Sequence, residues 1–251
     1  MIAFARLFAA WDKTNSTNRR VSALKDYLAS APPADAVWAT YFLLGNRPKG
    51  LVKRKSLLNF GIQESGLPQW LFEETYQSVG DMGETITLLL DRKPGGDEDL
   101  SVFETVQRYV LPLQKLKDEG QENLLRDGFY RVPLEARLPF LKLLTGSFRT
   151  GVSRGVVIQA LAELTGFAKT DIAARLAGTF DPSVEFWGRL LAAEASTSDL
   201  SQPYPFFLAS PLEDTAESLG APEEWFAEWK WDGIRGQLVK RGGQVYLWSR
   251  G

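Results

Sequence analysis

Apolar residues recur at intervals of three and four along most of residues 1–200, which is the spacing of amphipathic helices. The clearest case stands at the start of the chain, where one helical face carries Ile2, Phe4, Leu7, Phe8 and Trp11. Prolines and glycines divide the remainder into segments of helical length. We therefore predict an all-helical domain over residues 1–200.

Local signals place the individual helices of this domain. The pattern predicts helices after a cap at Ser16 or Thr17, over Ala36–Leu44 before Gly45, from Pro68 onward, over Thr85–Leu90 and Val102–Leu111, from a start or kink at Pro139, from near Gly155, and after a cap at Asp181 followed by Pro182.

The pattern changes after residue 200. Prolines cluster in residues 201–211, and a short helix is predicted near Asp214–Leu219. Three strands are then predicted, over Glu224–Trp229, Gly233–Arg241 and Gln244–Ser249, with a Gly-Gly turn before the last. Three strands have exposed edges and little core of their own. We expect residues 201–251 to be the incomplete beginning of an α+β domain within a longer protein.

Composition removes several classes of chemistry. The 251 residues include no histidine and no cysteine, which excludes disulfides, thiolate or histidine metal sites and the Ser-His-Asp triad. The net charge is -2, so contact with nucleic acid has to come from local basic patches. No apolar run approaches the ~20 residues of a membrane span. We expect a cytoplasmic protein.

Two basic patches are candidates for contact with nucleic acid. The first, residues 47–55, has no acidic residue and contains Lys53 and Arg54 among its five cations. In the second, residues 146–155, glycines alternate with Arg149 and Arg154 before a helix begins. Its candidate contacts are Arg149, Gly151, Arg154 and Gly155, because glycines and a helix start let backbone N–H groups approach a phosphate. The alternatives are an ordinary solvated surface for the first patch and a loop with helix-capping glycines for the second.

The run E-W-K-W-D-G-I-R at residues 228–235 contains the candidate catalytic and ligand-binding residues. Lys230 lies between two tryptophans, and an apolar surround disfavours the charged amine and frees its lone pair for attack. Arg235 suits phosphate or ribose oxygens, and Gly233 allows a ligand to approach the backbone. The alternative is a hairpin with one exposed Lys–Asp pair. The tryptophans in and around this run (Trp225, Trp229, Trp231 and Trp248) fit a packed sheet face better than adenine stacking.

This run resembles motif I of the covalent nucleotidyltransferases, which are ATP-dependent DNA ligases, RNA ligases and mRNA capping enzymes. Trp248-Ser249-Arg250-Gly251 resembles the next family motif. The resemblance implies that Lys230 attacks ATP and carries AMP. It also implies that Glu228 accepts from the adenine amino group, that Asp232 and Arg235 lie near the ribose, and that Arg250 contacts substrate phosphate. The metal-binding acid of the family falls beyond Gly251, so no metal ligand is assigned.

Residues 141–164 resemble the helical DNA-binding domain of ATP-dependent DNA ligases, a domain that capping enzymes and minimal RNA ligases lack. The resemblance implies a monomer that uses ATP and Mg²⁺ to seal nicked duplex DNA, in replication, repair or recombination. It implies a mainly α N-terminal domain followed by the beginning of an α+β nucleotidyltransferase (adenylation) domain. We expect this chain alone to bind DNA without ligating it. The alternatives are an RNA ligase or capping-type enzyme, and a non-enzymatic helical DNA-binding module.

Overall fold

Helices are the main secondary structure of residues 1–191 in the computed structural model. The structure describes the chain except for Arg92, Ser147, 149–151, 194–202, 205–211, Glu213, 226–228, Lys230 and 250–251. The α-helices of the described residues are α1 (Ile2–Asp12), α2 (Thr17–Ser30), α3 (Pro33–Leu43), α4 (Arg54–Ser65), α5 (Gln69–Val79), α6 (Met82–Leu89), α7 (Val102–Thr105), α8 (Asp118–Arg131), α9 (Arg137–Thr145), α10 (Arg154–Thr165), α11 (Lys169–Arg175) and α12 (Val184–Leu191).

The sequence signals located most helix starts correctly. Ser16 precedes α2, and its hydroxyl accepts a hydrogen bond from the Arg19 N–H at 3.4 Å. Pro139 lies in the first turn of α9, where its missing N–H costs no helical hydrogen bond. The predicted cap at Asp181 was wrong, because the hydroxyl of Ser183 caps α12 by accepting from Phe186 N–H at 3.1 Å.

The predicted helix over Val102–Leu111 has a more varied course. After α7 the backbone continues as a π-helical turn, Val106–Val110, and then as a 3₁₀ helix, Leu111–Lys115. Pro112 lies in that 3₁₀ turn, where it cannot donate a backbone hydrogen bond to continue the preceding helix. Three more 3₁₀ turns follow in the described residues, Leu134–Ala136, Ala216–Leu219 and Pro222–Glu224.

One continuous apolar core runs through the helices. The predicted face of α1 is confirmed, since Phe4, Leu7, Phe8 and Trp11 are all buried. Phe148, from the loop between α9 and α10, inserts its ring among three phenylalanines of this core. Its centroid lies 6.3, 5.9 and 5.4 Å from those of Phe4, Phe8 and Phe42. These rings bring α1 and α3 together with the loop that holds the second basic patch.

The end of the described chain is a two-stranded antiparallel hairpin, β1 (Gly236–Arg241) and β2 (Gln244–Ser249). The turn glycines, Gly242 and Gly243, have φ angles of 55° and 75°, as the predicted turn requires. The first of the three predicted strands, Glu224–Trp229, was wrong where the structure describes it. Glu224 ends a 3₁₀ turn and Trp225 and Trp229 lie outside any strand.

The two faces of the hairpin differ in exposure. Val239 is buried on one face, which it shares with Gln237 and Trp248. The opposite face exposes Leu238 and Leu247, which are cross-strand partners. The hairpin therefore docks by one face and leaves apolar side chains on the other.

Candidate nucleic-acid interface

The fold brings the first basic patch against Gly146, the first residue of the second patch, although the two are about one hundred residues apart in the sequence. The Val52 N–H donates to the Leu144 carbonyl at 3.2 Å, which joins the first patch to the end of α9. Gly146 ends that helix with φ 62°. A Cβ at this glycine would lie 2.6 Å from Leu51 Cδ1 and 3.1 Å from Arg47 Cβ. The left-handed backbone and the missing side chain together let the two loops touch.

The first patch also packs against the 3₁₀ helix Leu111–Lys115. A Cβ on Gly50 would lie 2.3 Å from Gln114 Cβ, so the two backbones are in close contact. Lys115 and Lys117 are exposed beside this contact. Sequence reasoning missed both lysines, because no local pattern shows that residues 111–117 fold against residues 47–51.

The cations of the first patch differ in their partners. Arg47 and Lys49 are exposed and form no ion pair with the residues that the structure describes. Lys53 Nζ instead lies 2.6 Å from Asp118, and this hydrogen bond and charge hold the pKa of the Asp118 carboxyl below its usual value. The Arg54 guanidinium lies 5.3 Å from the centre of the Tyr76 ring. Arg47 and Lys49 are thus less engaged with the protein than Lys53, which is paired, and Arg54, which lies over a ring.

The second patch is described on either side of residues 149–151, so the predicted contacts Arg149 and Gly151 lie outside the described residues. Phe148 fixes the loop just before them. On the far side, α10 begins at Arg154 and Gly155 is exposed in its first turn. The Arg154 side chain turns back to the protein and donates to the Leu176 carbonyl at 2.8 Å.

Within the nucleotidyltransferase-like run, Lys230, Glu228 and Arg250 lie outside the described residues. Asp232 and Gly233 are exposed and Arg235 is half-buried. No described atom lies within 4 Å of a Cβ position on Gly233, which leaves room for a ligand there. Trp229 and Trp231 are 84% and 82% exposed. The described tryptophans on either side of Lys230 therefore form neither a packed sheet face nor an apolar enclosure.

Two further properties of the described residues bear on ligands. No group of three or more acidic side chains in the described part of the chain is arranged to hold a metal ion. None of the helices in that part combines the length and the apolar character that crossing a membrane requires.

Comparison with known proteins places this architecture. The family described as "DNA ligase N terminus" matches residues 1–162. "DNA ligase 2" of Korarchaeum cryptofilum is 28% identical over 277 aligned positions, which cover 99% of this chain and 46% of that protein. "DNA ligase" of Nitrosopumilus maritimus is 27% identical over 98% of this chain and 46% of its own length. "Probable DNA ligase" of Opitutus terrae is 25% identical over 99% of this chain and 32% of its own length.

The chain thus spans less than half the length of these curated relatives. The alignments run through both the helical region and the hairpin, as the two resemblances in the sequence predicted. The helical fold followed by a small C-terminal sheet agrees with them. The chain belongs to the ATP-dependent DNA ligase family, of which it represents the N-terminal region.

Proposed function

We propose that the helical region binds duplex DNA through the joined basic patches, which we call the basic surface and define as residues 47–55 and 146–155. The observation that carries this proposal is the contact between Arg47 and Gly146, which merges two separate cationic loops into one surface. Such a surface contacts phosphates, so its binding is insensitive to base sequence and falls as salt rises. Among the described residues, Arg47 and Lys49 are its principal contacts, and Lys53, Arg54 and Gly155 lie along it. The sequence adds Arg149 and Gly151 as candidate contacts.

The salt dependence of binding tests this surface. Arg47→Ala with Lys49→Ala should lower the slope of log K against log salt by about 2, because each released phosphate contact contributes about 0.9. The measurement is a gel shift or fluorescence anisotropy titration on nicked duplex DNA across a salt series. A matched control is Arg108→Ala with Arg131→Ala, since both arginines already pair with Glu98, at 2.7 and 3.7 Å.

The outcomes separate the candidate functions. An unchanged slope in the Arg47/Lys49 variant, or an equal loss in the control, removes the basic surface from the interface. Tighter binding to nicked RNA than to nicked DNA would favour an RNA-directed enzyme. Binding to intact and nicked duplex without any AMP transfer by the complete gene product would favour a DNA-binding module that is not an enzyme.

We propose further that the Lys230 amine attacks the α-phosphate of ATP, loses a proton and takes AMP while pyrophosphate leaves, with Mg²⁺ neutralising the phosphates. Glu228, Asp232, Gly233, Arg235 and Arg250 are assigned to the nucleotide by the motif alone. Support comes from the family membership and from the open space at Gly233. AMP would then pass to the 5′-phosphate of a nick, and the 3′-hydroxyl would displace it and seal the strand.

Labelling with radioactive ATP tests the nucleophile in the complete gene product. Lys230→Ala should abolish covalent attachment of AMP, seen as label that stays with the protein on a denaturing gel, because no other amine replaces a positioned lysine. Lys240→Ala, which removes an exposed lysine from the same hairpin region, should leave labelling intact. Retention of the label by Lys230→Ala would remove Lys230 from the reaction.

A further inference from the structure

The side chain of Arg154 forms a hydrogen bond with the end of a neighbouring helix. Arg154 is the first residue of α10, where the positive end of the helix dipole disfavours a cation. Its guanidinium instead reaches the C-terminal end of α11 and donates to the carbonyl of Leu176 at 2.8 Å. A cation is favoured at that end of a helix. Arg154 as a whole is exposed, but partial desolvation of its guanidinium lowers the pKa, and the group stays charged because its ordinary pKa is so high.

The ring of Trp248, a residue of the hairpin, packs against the same helix end. We call residues 176–178 the α11 corner. Gly178 in this corner has φ 80°, a backbone conformation that favours glycine. A Cβ placed on it would lie 3.3 Å from Trp248 Cη2 and 3.3 Å from Pro203 Cδ. The tip of the Trp248 indole therefore packs at the α11 corner, in the space that the absent side chain leaves.

A second contact fastens the same face of the hairpin. Gln237, the cross-strand partner of Trp248, pairs with the backbone of Tyr204 in both directions. The Tyr204 N–H donates to Gln237 Oε1 at 2.9 Å, and Gln237 Nε2 donates to the Tyr204 carbonyl at 2.6 Å. The Arg241 guanidinium lies 4.9 Å from the centre of the Tyr204 ring. Gln237, Arg241 and Trp248 share one face, so the hairpin docks through a defined set of side chains.

We propose that Arg154 is a positioning residue, which holds the α11 corner where Trp248 packs and so fixes the hairpin on the helical region. Arg154 begins the helix that follows residues 149–151 of the basic surface. The contact chain Arg154–Leu176–Gly178–Trp248 therefore connects this surface to the strand that leads into Arg250. The docking itself stands without the proposed function, which supplies only its purpose: to set the nucleotide motif relative to bound DNA.

Hydrogen exchange of the hairpin amides, residues 236–249, tests the docking in this chain. Arg154→Gln should raise their exchange rates about tenfold or more, because the α11 corner loses its anchor. Arg154→Lys should restore part of the protection, since an ammonium can still donate to the Leu176 carbonyl. Trp248→Ala should raise exchange at least as much. The matched control is Leu247→Ala on the opposite face of the same strand, where the side chain is 77% exposed, and it should leave the docking intact.

A second arm separates positioning from DNA contact. Arg154→Gln should leave the salt slope for duplex binding unchanged, whereas a phosphate contact would lower it by about 1. Unchanged hairpin exchange in both Arg154→Gln and Trp248→Ala would overturn the docking. A lowered slope with unchanged exchange would make Arg154 a phosphate ligand instead. If Arg154→Gln unfolds α10, as circular dichroism would show, Arg154→Lys and Trp248→Ala decide the question. Failure of the parent chain to bind duplex would refute the proposed function and leave the exchange result standing.

Discussion

Arg137 is a fully buried cation that is satisfied by backbone carbonyls. Its guanidinium donates to the carbonyls of Phe129, Leu90 and Lys93 at 3.2, 3.1 and 3.0 Å, and also to that of Pro94. It lies 4.3 Å from the centre of the Phe129 ring, within the range of a cation–π contact. The planar fork of donors suits this cluster of acceptors. Arg137 therefore joins the turn after α6 to the end of α8.

Removing that fork should be costly. Arg137→Leu is expected to lower the free energy of unfolding by about 3 kcal/mol or more, because several buried carbonyls lose their donor at once. Arg137→Lys should recover part of the loss, since one ammonium can serve some of the carbonyls. Urea unfolding followed by circular dichroism measures both, provided that the m-value is unchanged. A loss below about 1 kcal/mol for Arg137→Leu would show that water or backbone movement replaces the guanidinium.

At the scale of helices, Asp81 joins α6 to α9. One oxygen of its carboxylate accepts from the Glu84 N–H at 3.0 Å and caps α6. The other lies 2.8 Å from the ammonium of Lys142, a buried residue of α9. Lys142 also contacts Glu84 at 3.2 Å, but the Glu84 side chain is 42% exposed, against 15% for that of Asp81. Asp81 is therefore the main partner that offsets the burial of the Lys142 charge.

This arrangement predicts a graded set of stabilities. Asp81→Ala should lose about 3 kcal/mol, because it removes both a cap and the partner of a buried charge. Asp81→Asn should lose less, since its amide oxygen can still cap α6. Adding Lys142→Met to Asp81→Asn should restore stability, because no charge is then left buried. Ser16→Ala, which removes a cap without a buried cation, is the control and should lose about 1 kcal/mol. Equal losses in Ser16→Ala and Asp81→Ala would mean that Lys142 needs no partner.

The sequence predicted those elements whose cause is local. The helical face of α1 and the Ser16 cap follow from neighbouring residues, and both are confirmed. The strand predicted at Glu224–Trp229 failed because alternating aromatics show only that a strand is possible. A strand also needs a hydrogen-bonding neighbour, and β1 pairs with β2 alone among the described strands. Trp70 likewise belongs to the predicted helix but is exposed, while Phe72 is the residue of α5 that faces the core.

The candidate interface shows the same limit. Each basic patch is visible in the sequence, but their contact at Gly146 depends on how α9 packs against residues 47–52. The partner of Arg154 was equally hidden, because Leu176 lies 22 residues away and offers only a carbonyl. Arginine and lysine usually lie at the surface, and nothing in the sequence around Arg137 and Lys142 indicates that these two are buried. Long-range contacts between backbone and side chain are what the sequence pattern omits.

Over the whole molecule, the groups with a shifted pKa set the pH range in which the fold is stable. The chain has no histidine or cysteine. Burial alone raises the pKa of Glu64, but hydrogen bonds from Tyr130 and Arg126, at 2.5 and 2.8 Å, hold it below its usual value. Burial likewise acts to raise the pKa of Asp127, but hydrogen bonds from Arg131 and Tyr109 hold it below its usual value. Burial and the bond to Glu64 raise the pKa of Tyr130 to about 12.

These shifts fix the direction of the pH dependence. Carboxyls with a lowered pKa stabilise the fold above their unfolded pKa, and this contribution is lost as the pH falls through the lowered value. A tyrosine with a raised pKa contributes its full stability below about 10 and loses it as the pH rises toward 12. We expect stability to vary little between about pH 5.5 and 9 and to fall on both sides.

Tyr130→Phe tests the loss of stability at low pH and at high pH with one substitution. It removes the phenol that titrates at high pH and the hydrogen bond that lowers the pKa of Glu64 at low pH. The variant should be less stable than the parent near pH 7, and its stability should decline less steeply below about pH 4.5 and above about pH 10. Urea midpoints from pH 3 to 11 measure this, and Tyr204→Phe, an exposed tyrosine, is the control. Parallel curves for Tyr130→Phe and the parent would mean that the Glu64–Tyr130 link between α4 and α8 contributes nothing to the pH dependence. The acid limit of the fold would then lie with other carboxyls whose pKa is lowered, among them the partly buried Asp99 and Asp127.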